Sequence, residues 1–145
     1  MYYSRKDAYG KFIRSIGELY PYSIKKRVPE EEWTYGEGKT TSFGDEWYGG
    51  SFPVQFRRRI SLPTLEEGEE LFLRASFGGE SLVKIDGRAF GELNPYHNEL
   101  DVSGMAGSEV TFEVEVVPKG LFGSNIERPA FTEASLIVYD APVRS

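Results

Sequence analysis

The residues able to do chemistry are few and scattered. His97 is the only histidine and cysteine is absent, so a thiolate metal site, a cysteine nucleophile and a disulfide framework are all excluded. A His-based metal centre would need carboxylates for every other ligand, and a Ser-His-Asp triad would need a serine in a strained elbow. The stretch Gly78-Gly79-Glu80-Ser81 lacks the GxSxG spacing of such an elbow. A lone histidine between Tyr96 and Asn98 reads first as a turn residue bonded to backbone. Carboxylates cluster at Glu66, Glu67, Glu69 and Glu70, and again at Glu113 and Glu115. A glycosidase pair must be held about 5–5.5 or 6.5–9.5 Å apart, with one member buried enough to stay protonated. The first cluster falls in a turn and the second on the wet side of an alternating run, so both read as solvated charge. Asp45 and Asp86 are loop carboxylates without calcium-ligand spacing. No catalytic and no metal-ligating residue is assigned.

Two further patterns invite ligands. Gly36-Glu37-Gly38-Lys39-Thr40 resembles part of a phosphate loop, but Trp33 stands where the motif needs glycine, and the strand before and helix after are missing. Trp47, Tyr48 and Tyr96 fall in loops and are the candidate sugar-binding residues, as flat rings for stacking on a pyranose. The competing role for the same rings is to anchor loops on the domain or to seal an interface.

The elements that must position these residues change character along the 145-residue chain. Ser4 and Asp7 have capping-box spacing, and Tyr9, Phe12, Ile13, Ile16, Leu19 and Tyr20 recur at helical intervals, which predicts a helix over 4–19 stopped by Pro21. Its apolar stripe needs a cover, from this domain or another. From Tyr22 to Ser51 the pattern is polar and Gly-rich with scattered aromatics, which predicts an extended, aromatic-anchored connection with a short strand near Trp33 to Tyr35. Beyond it the period becomes two. Val54 to Leu62, Leu71 to Phe77, Val110 to Val116 and Thr132 to Tyr139 alternate as half-buried strands, and Leu82 to Ile85 turns at Asp86-Gly87 into Arg88 to Phe90 as a hairpin. Short strands at intervals of about ten residues without interleaved helices predict an antiparallel β-sandwich, a jelly roll with an N-terminal α-helix attached. The division is 1–50 for the helix and extended segment and 51–145 for the sandwich, together one structural unit.

The net charge of −6 opposes a phosphate backbone. Bases cluster only at Lys25–Arg27 and Arg57–Arg59, which read as a solvated face or an edge-strand guard, so no nucleic-acid partner is expected. No window is apolar enough for a membrane helix and the N-terminus lacks the apolar core of a signal peptide, so neither a membrane partner nor an address is expected, and the expected location is cytoplasmic.

The segments PVQFRRRISLP, GGESLVKIDGRAFGELNPYHNEL, VEVVPKGLFG and FTEASLIVYD together resemble the N-terminal domain of family 38 glycoside hydrolases, the α-mannosidases. The matching positions are the aromatic-arginine pair Phe56 and Arg57, then Gly78, Gly79, Glu80, Asp86, Gly87, His97 and Glu99, with Trp47-Tyr48-Gly49-Gly50 as the entry to the first sandwich strand. Asn94 departs from the aspartate usual there. The resemblance implies a galactose-binding-like β-sandwich ahead of a catalytic barrel that would hold the zinc ligands and the nucleophile. It implies a chain that is not itself an enzyme and holds no cofactor. It would be an excised domain, a truncation or a split gene product that packs on the catalytic domain or supports a homo-oligomer, with a mannoside as candidate ligand.

Overall fold

The computed structural model describes residues 23–47, 53–118, 126 and 128–140. The helix expected over 4–19 lies outside them, as do Tyr48 and the Gly49-Gly50 pair.

The described residues form twelve strands and one 3-10 turn. They are β1 (Ser23–Pro29), β2 (Trp33–Tyr35), β3 (Lys39–Thr41), β4 (Asp45–Glu46), β5 (Val54–Ser61), β6 (Glu69–Ser76), β7 (Glu80–Ile85) and β8 (Arg88–Leu93). After β9 (Glu99–Asp101) comes the turn Ser103–Met105, then β10 (Glu109–Val117), β11 (Ala130–Phe131) and β12 (Glu133–Asp140). One sheet has the order β9-β6-β12-β1, a second the order β3-β2-β5-β10-β7-β8, and β11 pairs with β4 in a short ribbon. Every pairing is antiparallel.

Period-two burial shows why these segments are strands. In β10, Val110, Phe112, Val114 and Val116 are buried while the residues between them stay partly wet. In β6 and β12, Leu71, Leu73 and Ala75 sit opposite Val138, Leu136 and Ala134 in register, all buried. The inner faces of both sheets contribute to one continuous core, the arrangement of a two-layer sandwich. Its densest part is aromatic. Trp33 meets Phe77 edge-on at 5.0 Å, Phe77 stacks on Phe131 at 5.3 Å, and Trp47 meets Phe56 at 5.3 Å. Each such ring contributes about 1.5–3 kcal/mol by leaving water.

The segment expected to be an extended connection is in fact largely strand. Residues 23–29 form β1, the edge of the four-stranded sheet, paired with β12, while the short strand expected near Trp33 to Tyr35 is present as β2 against β5. β1 was illegible because nearly all its residues are exposed, leaving no alternation to read. Its Lys25, Lys26 and Arg27 line an edge, where charge discourages pairing with other chains. The second basic triplet is not an edge guard: β5 lies inside its sheet between β2 and β10. Arg57 and Arg59 point outward and Arg58 inward, in the slot between buried Phe56 and Ile60.

Candidate functional site

The Asp86-Gly87 hairpin sets the geometry of the region richest in candidate residues. Asp86 has φ +51° and Gly87 φ +85°, the left-handed pair of a type I′ turn. The Asp86 carboxylate accepts from the Thr111 N–H at 2.8 Å, tying the turn to β10. At the other end of β8, Asn94 and His97 close a second turn through reciprocal backbone hydrogen bonds. The Asn94 Oδ1 accepts from the N–H groups of Tyr96 and His97 at 2.8 and 3.0 Å. An amide oxygen does this as an aspartate would, so the turn needs no charge at position 94.

Beside this turn a groove of about 320 Å³ opens between β7, β8 and β10, lined by Glu80, Leu82, Glu92, Asn94, Glu115 and Val117. Glu115 is bonded to Lys84 at 2.6 Å, and that hydrogen bond holds its carboxyl below the usual carboxylate range. A lowered carboxyl is the opposite of what a general acid needs. Its neighbour Glu113 pairs with Arg57 at 3.0 Å and Glu109 with Arg59 at 3.0 Å, so the outer face of β10 is a ladder of compensated charge. Water and salt screen such exposed pairs, so they add little stability. The Glu66 to Glu70 cluster is also occupied structurally. Glu69 accepts from the Glu66 N–H at 2.9 Å and from Lys25 at 2.5 Å, and both bonds hold its carboxyl low.

The stacking candidates fall apart in space. Trp47 is 3% exposed and donates its Nε1–H to the Phe77 carbonyl at 2.7 Å, so its ring anchors the core and presents no face to a sugar. Tyr48 lies outside the described residues. Tyr96 is 59% exposed, at the tip of the turn beside the groove. His97 is exposed in the same turn. Gly36 to Thr40 forms the β2–β3 hairpin, with Gly36 at φ +59° and Gly38 at φ +87°, and no helix follows it to receive a phosphate. Asp45 accepts from the Ser42 N–H at 2.9 Å and closes a turn. Among the described residues no three metal-ligating side chains converge.

Gly78 and Gly79, part of the family-38-like phrase, make the corner from β6 into β7. A Cβ on Gly79 would lie 2.1 Å from the Val117 carbonyl oxygen, and one on Gly78 would lie 2.9 Å from Trp47 Nε1. These glycines permit a close crossing over Trp47 and Pro118, a packing role rather than a phosphate cradle.

Sequence reasoning did not find the network on the four-stranded sheet. Arg74 donates to Glu99 at 2.7 Å and to the Tyr139 hydroxyl at 3.0 Å, and that hydroxyl donates to Glu99 at 2.7 Å. Burial first, then the Glu99 charge, pushes the Tyr139 hydroxyl far above its ordinary value. Tyr139 is therefore a neutral donor, not a base.

The sequence matches no family model and no curated protein. Solved structures do match in shape. An uncultured Clostridium sp. β-glucuronidase superposes with a TM-score of 0.57 at 14% identity, over 90% of this chain and 31% of that one. A Faecalibacterium prausnitzii β-glucuronidase gives 0.55 at 12% identity, over 86% and 33%, and a family 2 glycosyl hydrolase from Bacteroides cellulosilyticus 0.57 at 10%, over 79% and 20%. The likeness is one of fold. This chain spans about a fifth to a third of the length of these proteins. They are β-glucuronidases and family 2 enzymes, so they lend the expected α-mannosidase family no support.

Proposed function

We propose that this chain is a non-catalytic β-sandwich domain of a glycoside hydrolase, serving beside a catalytic domain rather than performing hydrolysis. The observation that carries this is the superposition of most of the chain on glycosidases of which it covers only a minor share. The pairing of Glu113 with Arg57 and of Glu115 with Lys84 supports it, because the Glu115 carboxyl is held low rather than raised as a general acid requires. The parent family is a narrower matter. The Gly-Gly-Glu, Asp-Gly and His-x-Glu segments speak for a galactose-binding-like jelly roll of an α-mannosidase, whereas the superpositions speak for family 2; a glycoside-hydrolase accessory domain covers both. The gene context tests the reading. A glycosidase catalytic domain in the same reading frame or an adjacent gene is expected, and an isolated frame with no glycosidase beside it would overturn it.

A second reading, a carbohydrate-binding module, is favoured by the exposed Tyr96 in the turn whose Asn94 lines the groove. Glu80 and Glu92 there would repel a uronic acid, so its ligand is a neutral sugar such as a mannoside. Calorimetric titration with mannose oligosaccharides tests it, with heat at millimolar ligand that Tyr96→Ala removes as the supporting result and no heat as the contrary one.

A further inference from the structure

The two sheets present unlike outer faces. On the six-stranded sheet the outward row is wet, with the Arg57 side chain 56% exposed. On the four-stranded sheet Ser135 and Ile137 point away from the shared core, since Ala134, Leu136 and Val138 point into it, yet both are 0% exposed. In register, Ile137 lies between Arg27 and Phe72, and Ser135 between Pro29 and Arg74.

Side chains on the face pave part of it. Arg27 reaches Glu133 at 3.0 Å, and Phe72 meets Tyr139 edge-on at 5.3 Å. That paving is open on the β1 side, where Ile24 is 52% exposed and the Arg27 side chain 43% exposed. It is closed over β12 and β6, where Ile137 and Ser135 are fully buried and the Tyr139 hydroxyl is desolvated. The hydroxyl of Ser135 is buried and has no hydrogen-bond partner on the protein.

We propose that residues 4–20 of this chain cover this face, laid along β12 and β6 with Tyr9, Phe12, Ile13, Ile16 and Leu19 over Ile137 and Phe72. Connectivity favours this occupant, because the stretch leads within three residues into Ser23, the first residue of β1 on the same sheet. Dimensions agree. A helix over 4–19 would be about 24 Å long, and the eight residues of β12 extend about 26 Å. The amphipathic pattern agrees as well, since Lys11, Arg14 and Glu18 fall opposite the apolar stripe and would face water. The stripe thus has its partner within the domain, and the six-stranded face remains available to other domains.

The absence of cysteine makes the test direct. Arg14→Cys carries a nitroxide on the side away from the stripe, and amide signals of the full chain are compared with the label oxidised and reduced. Attenuation of residues 71–74 and 135–139, with residues 111–115 untouched, is expected, and it should be lost in the Ile16→Asp version of the labelled chain. Attenuation confined to the six-stranded sheet, or none, overturns the proposal and leaves the face sealed by its own side chains or by another domain. Attenuation that appears on unlabelled, isotope-enriched chains mixed with labelled ones overturns it in favour of a second copy.

Discussion

Arg58 joins the two sheets of the sandwich to each other: its guanidinium, on the inward side of β5, lies 2.9 Å from the carboxylate of Glu30, just beyond the end of β1. Glu30 is fixed from three sides. Its N–H donates to the Ala134 carbonyl at 2.8 Å, its own carbonyl accepts the Trp33 Nε1–H at 2.8 Å, and its side chain accepts from Arg58. The Glu30 side chain is 12% exposed and that of Arg58 30%, so the pair is shielded from water far better than the ladder on β10.

Arg58→Met should therefore cost about 1–3 kcal/mol, because it leaves a shielded carboxylate without its cation. Arg57→Met, one residue away but facing water, should cost less than about 1 kcal/mol. Urea unfolding of both variants checks the contrast, and equal losses would contradict the inward placement of Arg58.

The glycines should sort by surroundings rather than by motif. Gly79→Ala drives a methyl into the Val117 carbonyl and should destabilise by more than about 2 kcal/mol, through a forced shift of the β6–β7 corner. Gly87→Ala meets open space but keeps a left-handed backbone, and should cost about 1–2 kcal/mol. Gly104→Ala has neither problem and should be near neutral. Thermal melts of the three variants should rank them in that order.

Tyr139 makes stability depend on alkaline pH. Its folded pKa is raised by burial, so its contribution is fully present below the ordinary tyrosine value near 10 and is lost as pH rises from there toward the folded value. Absorbance titration of the nine tyrosines should show one that resists ionisation while the chain stays folded, and this late component should be missing in Tyr139→Phe. A single uniform transition near pH 10 would contradict the burial.

Legibility in the sequence followed burial contrast. β5, β6 and β10 have one buried and one wetter face, so period two marks them; β12, expected to be half-wet, is instead buried on both faces from Ala134 to Val138. The Asp86-Gly87 turn is equally visible, because few dipeptides tolerate two positive φ angles. β1 has almost no buried side chain to betray it, and β9 is three residues long. For the candidate site, the loop position of Trp47 left stacking and anchoring both open, and its indole N–H, donated to the Phe77 carbonyl thirty residues away, decides for anchoring. The Arg74–Glu99–Tyr139 network joins residues from three strands whose adjacency follows only from the sheet order. Arg58 was the one decipherable clue: a charged residue in an inward slot of an alternating strand needs a partner, and Glu30 is that partner.

The central claim, a domain without glycosidase chemistry of its own, is tested most directly by incubating the purified chain with aryl β-glucuronides and aryl α-mannosides and measuring release of the aryl alcohol. No release above the buffer rate is predicted. Turnover that follows the protein through purification and is lost on mutating Glu80, Glu92 or Glu115 in the groove, or on adding a chelator, would contradict it.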